Sequence, residues 1–286
     1  MNAKTSIARL SVFSNTLLIV MKLIVGIISG SVSIISEAIH SSMDLLAAII
    51  AFFAVRVSDV PPDSKHPYGH GKVENISGVI EGLLILVAAI WIIVEAVKKL
   101  LGEPFKLESL WIGSLVMLVS AIVNTIVSRK LYKVARETNS VALEADALHL
   151  KTDVYTSLGV AVGLGLIMLT GIKWFDPGIA ILVALFIIRE SFVLLKKAFW
   201  PLLDSSWGDD EIEDLEKKLN VMEVNYHDLR TRVAGNYRFV DIHIEIPESE
   251  SVGSAHQYCD RIEDELKSAY DNLTVTIHVE PSQISQ

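Results

Sequence analysis

The sequence predicts an α-helical membrane protein with six transmembrane helices, followed by a small α+β domain outside the membrane. Its 286 residues are 51% hydrophobic, with a mean hydropathy of +0.44, which is too apolar for an ordinary soluble enzyme. The charge divides the chain as well. There are 15 acidic and 18 basic residues up to Trp200, then 19 acidic and 7 basic residues, so the parts carry about +3 and -12. We therefore expect a transmembrane domain at residues 1–200 and a soluble domain at residues 201–286.

Six apolar stretches are long enough to span a bilayer, since about 20 residues cross roughly 30 Å of hydrocarbon. They lie at about 10–30, 32–56, 77–98, 109–128, 142–170 and 175–199. The first is not a cleaved signal peptide, because its apolar run is too long and the second span follows after the short turn Ser29-Gly30-Ser31. The alternative is a set of buried helices in a large soluble protein.

The distribution of positive charge predicts the orientation. An even number of spans places both termini on one side, and Lys and Arg accumulate on the cytoplasmic side. With the N-terminus inside, the outer loops hold only Lys98, Lys99, Lys106 and Lys173, and the remaining loop cations face the cytoplasm. We therefore expect a multi-pass protein of the cell (inner) membrane with cytoplasmic N- and C-termini.

The C-terminal domain alternates helical and strand patterns. Helices are expected at 209–219 and 254–270, and strands at 224–233, 238–246 and 273–279. Gly235-Asn236 between the first two strands is a hairpin signal. The order helix, strand, strand, helix, strand predicts an open sheet backed by helices, as in ferredoxin-like folds.

Composition excludes several functional classes. The acidic C-terminal part disfavours a nucleic-acid partner, because phosphate binding needs clustered Lys and Arg. Cys259 is the only cysteine, which excludes an intramolecular disulfide framework and a multi-Cys metal site. Metal chemistry in this protein would have to use His and carboxylate ligands.

Two spans carry the same ionisable pattern. His40 and Asp44 stand four residues apart in the second span, and His149 and Asp153 do so in the fifth. Residues four apart share one helical face. Charged residues inside a bilayer are costly, at about 2.5–3.5 kcal/mol each on insertion scales. Two such pairs, both in membrane spans, are a much stronger signal than one.

The depths of the two pairs agree. At about 1.5 Å per residue, Asp44 lies near the level of His149, and His40 near that of Asp153, because the two helices run in opposite directions. Two imidazoles and two carboxylates then converge near the midplane. Four such ligands suit tetrahedral Zn²⁺, with Co²⁺, Fe²⁺ and Cd²⁺ as related candidates. The alternative is interhelical hydrogen bonding, or a proton relay without metal.

Other charged residues in the spans receive supporting roles. Glu37 and Asp146 are expected beside the ligands or in helix packing. Lys151 lies about 200° around the helix from His149, off the ligand face, and is expected to snorkel or to pair with a carboxylate. Arg189 and Glu190 are expected to pair.

The chain resembles the cation diffusion facilitators. The resemblance covers nearly the whole chain and rests on the six spans, the twin His-x-x-x-Asp pairs, the acidic tail and the loop Asp-Ser-Lys-His-Pro-Tyr-Gly-His-Gly-Lys-Val-Glu at 63–74. It implies a homodimer that exports divalent metal in exchange for protons, with a cytoplasmic ferredoxin-like, metallochaperone-like domain. It also implies a transport site formed by His40, Asp44, His149 and Asp153. Members with Asp in the place of His40 accept Fe²⁺ and Mn²⁺ more broadly, so His40 implies a preference for Zn²⁺.

The resemblance implies further sites. Asp63, His66 and His70 match a loop site, for which surface histidines are the alternative. The residues that match a binuclear zinc site near the dimer interface are His227, His243, His256, His278 and Glu280. Glu280 stands where Asp is common. Alternation of polar and apolar residues in two strands supports this site independently, with solvated strand faces as the alternative. Lys72 and Asp204 match a charge pair at the membrane surface, which would contribute little if solvent screens it.

The expected mechanism is antiport. Metal ligands must be deprotonated, so metal binding releases protons and protonation expels metal. No nucleotide-binding Gly-x-x-x-x-Gly-Lys-Ser/Thr loop is present in the sequence. An intramembrane metalloprotease would want His-Glu-x-x-His, which is absent as well. A membrane metal sensor or scaffold that does not transport is the other competing class.

Overall fold

The computed structural model describes residues 3–29, 32–101, 110–172 and 174–282. The chain forms two compact units, Met1–Phe199 and Trp200–Gln286, which are described separately. The first unit consists of long helices, and the second is a small α+β domain. This is the predicted fold class.

Six helices of 25 to 30 residues build the first unit. They are α1 (Ala3–Ser29), α2 (Val32–Ser58), α3 (Lys72–Leu100), α4 (Leu110–Thr138), α5 (Val141–Thr170) and α6 (Phe175–Phe199). Within the described residues, four stretches are long and apolar enough to cross a membrane: Ala3–Ile28, Ser41–Ser58, Lys72–Lys98 and Pro177–Leu203. A helical transmembrane domain is thus confirmed, and a crossing by α4 and α5 stays a prediction.

The junction between α4 and α5 differs from the predicted spans. The apolar stretch ends near residue 128, but α4 continues to Thr138, because the following polar residues remain helical beyond the apolar run. Asn139 has a φ of 50°, the left-handed conformation that commonly ends a helix. The amide of Ser140 donates to the carbonyl of Ala135, 3.0 Å away, and α5 begins at the next residue.

Helix packing is uneven in the first unit. The most extensive contacts join α3 to α6 and α1 to α2, and α2 contacts α1 more extensively than it contacts α5. Gly82 on α3 allows the close approach of α6, since a Cβ there would lie 2.9 Å from two side-chain atoms of Leu195. A Cβ at Gly78 would similarly lie 2.8 Å from Val141. These glycines fix the position of α3 against its neighbours.

A buried polar cluster joins four helices of this unit. Glu74 of α3 is fully buried and accepts hydrogen bonds from Lys4 of α1 at 2.9 Å and from Ser58 of α2 at 2.7 Å. Ser140, just before α5, donates to its other oxygen. Lys4 also contacts Asp59 at 2.7 Å. The cluster therefore satisfies a carboxylate and an ammonium that would be costly to bury alone.

We expect Glu74→Ala to destabilise the protein strongly. The substitution removes the carboxylate that accepts from the hydroxyls of Ser58 and Ser140, and it leaves the buried Lys4 ammonium with Asp59 as its one carboxylate partner among the described residues. Breaking a buried pair from one side typically costs about 3–5 kcal/mol. Thermal unfolding of the purified protein in detergent should show a large fall in midpoint. The matched control is Glu95→Ala, on the same helix, where the carboxylate is 40% exposed and pairs with Lys98. An equal fall in both variants would contradict the prediction.

The second unit is a three-stranded sheet with two helices. After a short 3₁₀ helix, Trp200–Leu203, the elements are α7 (Asp209–Val221), β1 (Tyr226–Ala234), β2 (Tyr237–Pro247), α8 (Val252–Ala269) and β3 (Leu273–Ser282). The sheet order is β1-β2-β3, with β1 antiparallel and β3 parallel to the central strand. Its core is formed by residues such as Leu215, Ile244 and Leu266 from both helices and the sheet. The predicted order of elements is confirmed.

Candidate metal-binding sites

Asp44 of α2 meets His149 and Asp153 of α5 inside the helical unit. One ligand atom from each of the three lies within 4.8 Å of the others. The Nε2 atom of His149 is 3.1 Å from Oδ1 of Asp44, and both residues are buried, at 9% and 5% exposure. The contact agrees with the depth expected for antiparallel helices. The side chain of His40 lies outside the described residues, so its predicted place in the site stays a prediction.

This group can hold a cation without large rearrangement. It offers one imidazole nitrogen and two carboxylates, which are ligand types of Zn²⁺ and of several other divalent first-row ions. In the absence of metal, the contact between His149 and Asp44 is a hydrogen bond between helices. Both descriptions fit the same geometry, because metal ligands exchange protons for the ion.

Two further acids are buried in the same unit. Asp146 and Glu81 are fully buried, and among the described residues neither oxygen of Asp146 has a hydrogen-bond partner. Ser77 donates to one oxygen of Glu81 at 3.0 Å. Asp146 was expected in a supporting role, whereas sequence reasoning passed over Glu81. An acid inside an apolar span of this length is itself the signal that would have found it.

Lys151 of α5 and the charged residues Arg189 and Glu190 of α6 have partners other than the three ligands. The Lys151 ammonium is 5.4 Å from the ring centroids of both Tyr132 and Tyr155, which are favourable cation–π distances. It therefore points off the ligand face, as the helical spacing predicted. Arg189 and Glu190 pair at 2.5 Å, as expected.

The loop between α2 and α3 gathers the predicted residues Asp63, His66 and His70. Their ligand atoms lie within 4.8 Å of one another, and the two imidazoles approach to 3.0 Å. Backbone N–H groups of His66 and Lys65 donate to Asp63 and hold the pKa of that carboxyl below its usual value. Asp63 is thus available as an anionic ligand. The open setting of the loop also suits simple surface residues, the alternative stated above.

The sheet of the C-terminal unit gathers a third group. His227, His243 and His278 occupy one row across the three strands, because His243 is paired with His227 of β1 and with His278 of β3. Glu280 reaches across this row, with one oxygen 3.1 Å from His243 Nδ1 and the other 3.1 Å from His227 Nε2. The ring centroids of His243 and His278 are 4.7 Å apart.

The fifth predicted residue of this site has another neighbour. His256 is on α8, 73% exposed, with its Nε2 atom 3.5 Å from Asp260. The compact group within one chain consists of His227, His243 and Glu280. A role for His256 in the metal site stays a prediction.

Lys72 and Asp204 belong to different units. Lys72 is the first residue of α3, whereas Asp204 accepts a hydrogen bond from Arg232 of β1 at 3.4 Å. Their charge pair likewise stays a prediction.

Comparison with known families accounts for both units. Residues 8–203 match the cation efflux transmembrane domain, and residues 208–282 match the cytoplasmic domain of cation efflux proteins. The chain belongs to the cation diffusion facilitator family. The family consists of cation efflux transporters rather than enzymes.

Relatives of this cation diffusion facilitator match over most of their length. The cation-efflux pump FieF of Shewanella oneidensis is 34% identical over 280 residues, covering 97% of this chain and 94% of the relative. The transporter sll1263 of Synechocystis sp. is 36% identical over 257 residues, covering 89% and 83% respectively. Among solved structures, the metal-bound C-terminal domain of the CzcD transporter from Thermotoga maritima is 29% identical, with a TM-score of 0.25, covering 28% of this chain and 100% of that one.

Proposed function

We propose that this cation diffusion facilitator exports Zn²⁺ from the cytoplasm in exchange for protons. The observation that carries the proposal is the convergence of Asp44, His149 and Asp153 inside the helical unit. A transporter requires a cation site of this kind within its membrane domain, where each side of the membrane can reach it in turn. FieF of Shewanella oneidensis, which covers nearly the same length, is described as a cation-efflux pump.

The ligand chemistry favours zinc. Spacing of four residues predicts His40 on the same face of α2 as Asp44, and with His40 the site would offer two imidazoles and two carboxylates, a set that suits tetrahedral Zn²⁺. Fe²⁺, Mn²⁺, Co²⁺ and Cd²⁺ are the alternative cargoes, since they accept the same ligand types. A membrane sensor that binds metal without moving it remains the other functional candidate.

Proton exchange follows from the ligands. Imidazole titrates near pH 6.5 and carboxylate near pH 3.9 in reference compounds, and both must lose protons before they bind metal. A site open to a near-neutral cytoplasm favours the metal. The same site open to a more acidic exterior favours protons, so alternating exposure couples the two flows.

The C-terminal unit supports the assembly that we propose. We place it in the cytoplasm, with both termini of the chain on the cytoplasmic side of the cell membrane. We assign it to homodimerisation and metal-dependent regulation. Residues 208–282 match a cytoplasmic domain, and its net charge of about -12 suits a solvated unit that binds cations. The strand row of His227, His243 and His278 supplies the ligands.

Transport in vesicles tests the function. Purified full-length protein is reconstituted into vesicles loaded with a zinc-sensitive dye and a pH-sensitive dye. When Zn²⁺ is added outside, the zinc-sensitive dye should report its entry and the pH-sensitive dye should report proton movement in the opposite direction. Neither signal should appear in vesicles without the protein. Zinc binding without flux would show a sensor or scaffold, and zinc flux without proton movement would contradict antiport.

We expect His40→Asp to change which metal is carried. The substitution replaces an imidazole with a hard oxygen ligand and should raise Fe²⁺ or Mn²⁺ flux relative to Zn²⁺ flux. The measurement is competition between the ions in the same vesicles, expressed as a ratio of fluxes. Glu95→Gln, which changes an exposed acid of α3 outside the three described metal-binding groups, serves as the control and should leave the ratio unchanged. An unaltered ratio for His40→Asp would show that ligand type at this position does not set the choice of metal.

A further inference from the structure

A groove between α4, α5 and α6 has no part in the metal chemistry described above. Its volume is about 900 Å³, and its lining comes from residues 125–137 of α4, residues 144–158 of α5 and Glu190 of α6. Four basic side chains line it: Arg129, Lys133, Arg136 and Lys151. Four cationic side chains lining one groove of the helical unit suggest a ligand of opposite charge.

The acids in the groove are already neutralised, whereas three of its cations are not. The three acid pairs are Glu144 with Lys197 at 2.5 Å, Glu190 with Arg189 at 2.5 Å and Glu137 with Lys133 at 3.9 Å. Within the described ranges, no carboxylate oxygen lies within 4.0 Å of Arg129, Arg136 or Lys151. The groove therefore carries an excess of positive charge, which repels a metal cation and attracts an anion.

Arg129 lies at the depth of a lipid headgroup, and the Lys151 side chain reaches toward the same depth. Arg129 follows Leu110, the first residue of α4, by 19 residues, which is roughly 28 Å at about 1.5 Å per residue. The hydrocarbon core is about 30 Å thick. The backbone of Lys151 lies deeper, two residues from His149, but its ammonium is 5.4 Å from the ring centroid of Tyr132, which stands three residues beyond Arg129 on α4. The long side chain of Lys151 therefore carries its charge toward the boundary between hydrocarbon and headgroups that Arg129 occupies.

The lining also changes in polarity with depth. Tyr132 and Tyr155 flank the Lys151 ammonium, and aromatic rings with a polar tip are typical of this boundary. Val154 and Leu158 continue the lining farther along α5, and Leu158 is 55% exposed. The groove is thus charged at the end near Arg129 and Arg136 and apolar at the end near Val154 and Leu158. This division matches a molecule with an anionic head and a hydrocarbon tail.

We propose that this groove binds an anionic phospholipid. Arg129, Arg136 and Lys151 hold its phosphate, and an acyl chain follows Val154 and Leu158. Basic pockets between transmembrane helices recognise anionic headgroups by the same combination of charges. The site explains why a lysine stands inside a span, two residues after a metal-site histidine, and yet points away from the metal group.

The test is lipid binding by the full-length protein in an uncharged detergent. Phosphatidylglycerol and phosphatidylcholine with identical acyl chains are added in turn, and bound lipid is counted by native mass spectrometry. Phosphatidylglycerol should be retained, and phosphatidylcholine should be lost. Arg129→Gln with Lys151→Gln should weaken phosphatidylglycerol binding about 25-fold, since one interfacial cation contributes about fivefold. Lys130→Gln is the matched control, because Lys130 is exposed and adjacent to Arg129 but does not line the groove.

Several outcomes would overturn the proposal. Equal retention of the two lipids would remove the charge selectivity, and equal losses in Lys130→Gln and the double variant would remove the site. Displacement of the lipid by equimolar glycerol phosphate would show a phosphate site rather than a lipid site. If the double variant does not fold, a photoreactive phosphatidylglycerol on the unaltered protein should label peptides from 125–136 and 151–158, and labelling elsewhere would contradict the assignment. A dimer with this groove covered, seen as protection without lipid, would assign it to a second copy instead.

Discussion

Asp44→Asn and Asp153→Asn should each reduce zinc flux into reconstituted vesicles to the level of protein-free vesicles. Each substitution keeps the size of the side chain and removes one anionic ligand from the intramembrane group. The remaining ligands then hold a divalent ion with less charge and an incomplete coordination shell. Asp44→Asn also replaces the carboxylate that faces His149 Nε2 at 3.1 Å. The effect on flux should therefore be far larger than the effect on stability.

The control separates chemistry from folding. Glu95→Gln changes an acid on another long helix, where it pairs with Lys98 at 2.9 Å outside any metal-binding group. That variant should transport normally, and all three variants should elute and melt like the unaltered protein. Normal flux in Asp44→Asn or Asp153→Asn would eliminate this group as the transport site. Loss of folding in either would call for ion binding to be measured in Asp153→Glu, which keeps the charge.

Zinc should raise the melting temperature of the isolated C-terminal unit, residues 205–286, by roughly 10–20 °C. The core of this unit is self-contained, extending from Trp207 to Val275, so the segment should fold alone. A ligand at about 100 times its dissociation constant stabilises the bound state by about 2.7 kcal/mol. For a domain of this size, 1 kcal/mol corresponds to about 4–8 °C. Scattering should show a more compact dimer, because bound cations offset repulsion between two segments of about -11 each, from 18 acidic and 7 basic residues.

Matched variants identify the ligands of this unit. His243→Ala with His278→Ala should remove both responses to zinc, whereas Glu213→Ala, an exposed acid paired with Lys217 on α7, should retain them. His256→Ala tests whether His256 is also a ligand. If it is, the variant should lose part of the response to zinc, and if the ligands are only those on the strands, the response should be unchanged. If melting and scattering are the same in zinc and in chelator, the unit dimerises without sensing metal.

Pattern alone predicted the helices and the approach of the two His-x-x-x-Asp spans, whereas the loop group and the full C-terminal group of candidate ligands came from the family resemblance. Spacing of four residues fixes a helical face, and antiparallel spans of fixed rise fix a depth, so the contact between Asp44 and His149 was accessible from the sequence. Alternation in β2 and β3 likewise placed His243 and His278 on one face.

What escaped prediction depends on partners from distant segments. The burial of Glu74 requires Lys4, 70 residues earlier, and Ser140, 66 residues later. The row of histidines depends on register, which an irregularity between His227 and Arg230 in β1 helps to set. Helical spacing predicted that Lys151 would point away from the metal ligands. The sequence around Lys151 did not show that its ammonium would contact the ring of Tyr132 on α4. Local periodicity shows which face of a helix a side chain occupies. Which residue that side chain contacts depends on how the helices pack together.

The more extensive packing of α2 on α1 than on α5 bears on how the proposed transport site releases its metal. Asp44 belongs to α2, which packs more extensively on α1 than on α5, whereas His149 and Asp153 belong to α5. A sliding movement along that contact divides the ligands between two bodies, as in other transporters that rock one bundle against another. Neither body then keeps enough ligands for a tetrahedral ion. In the transport cycle that we propose, we therefore expect this movement to weaken metal binding, and protonation of the separated ligands to complete the release.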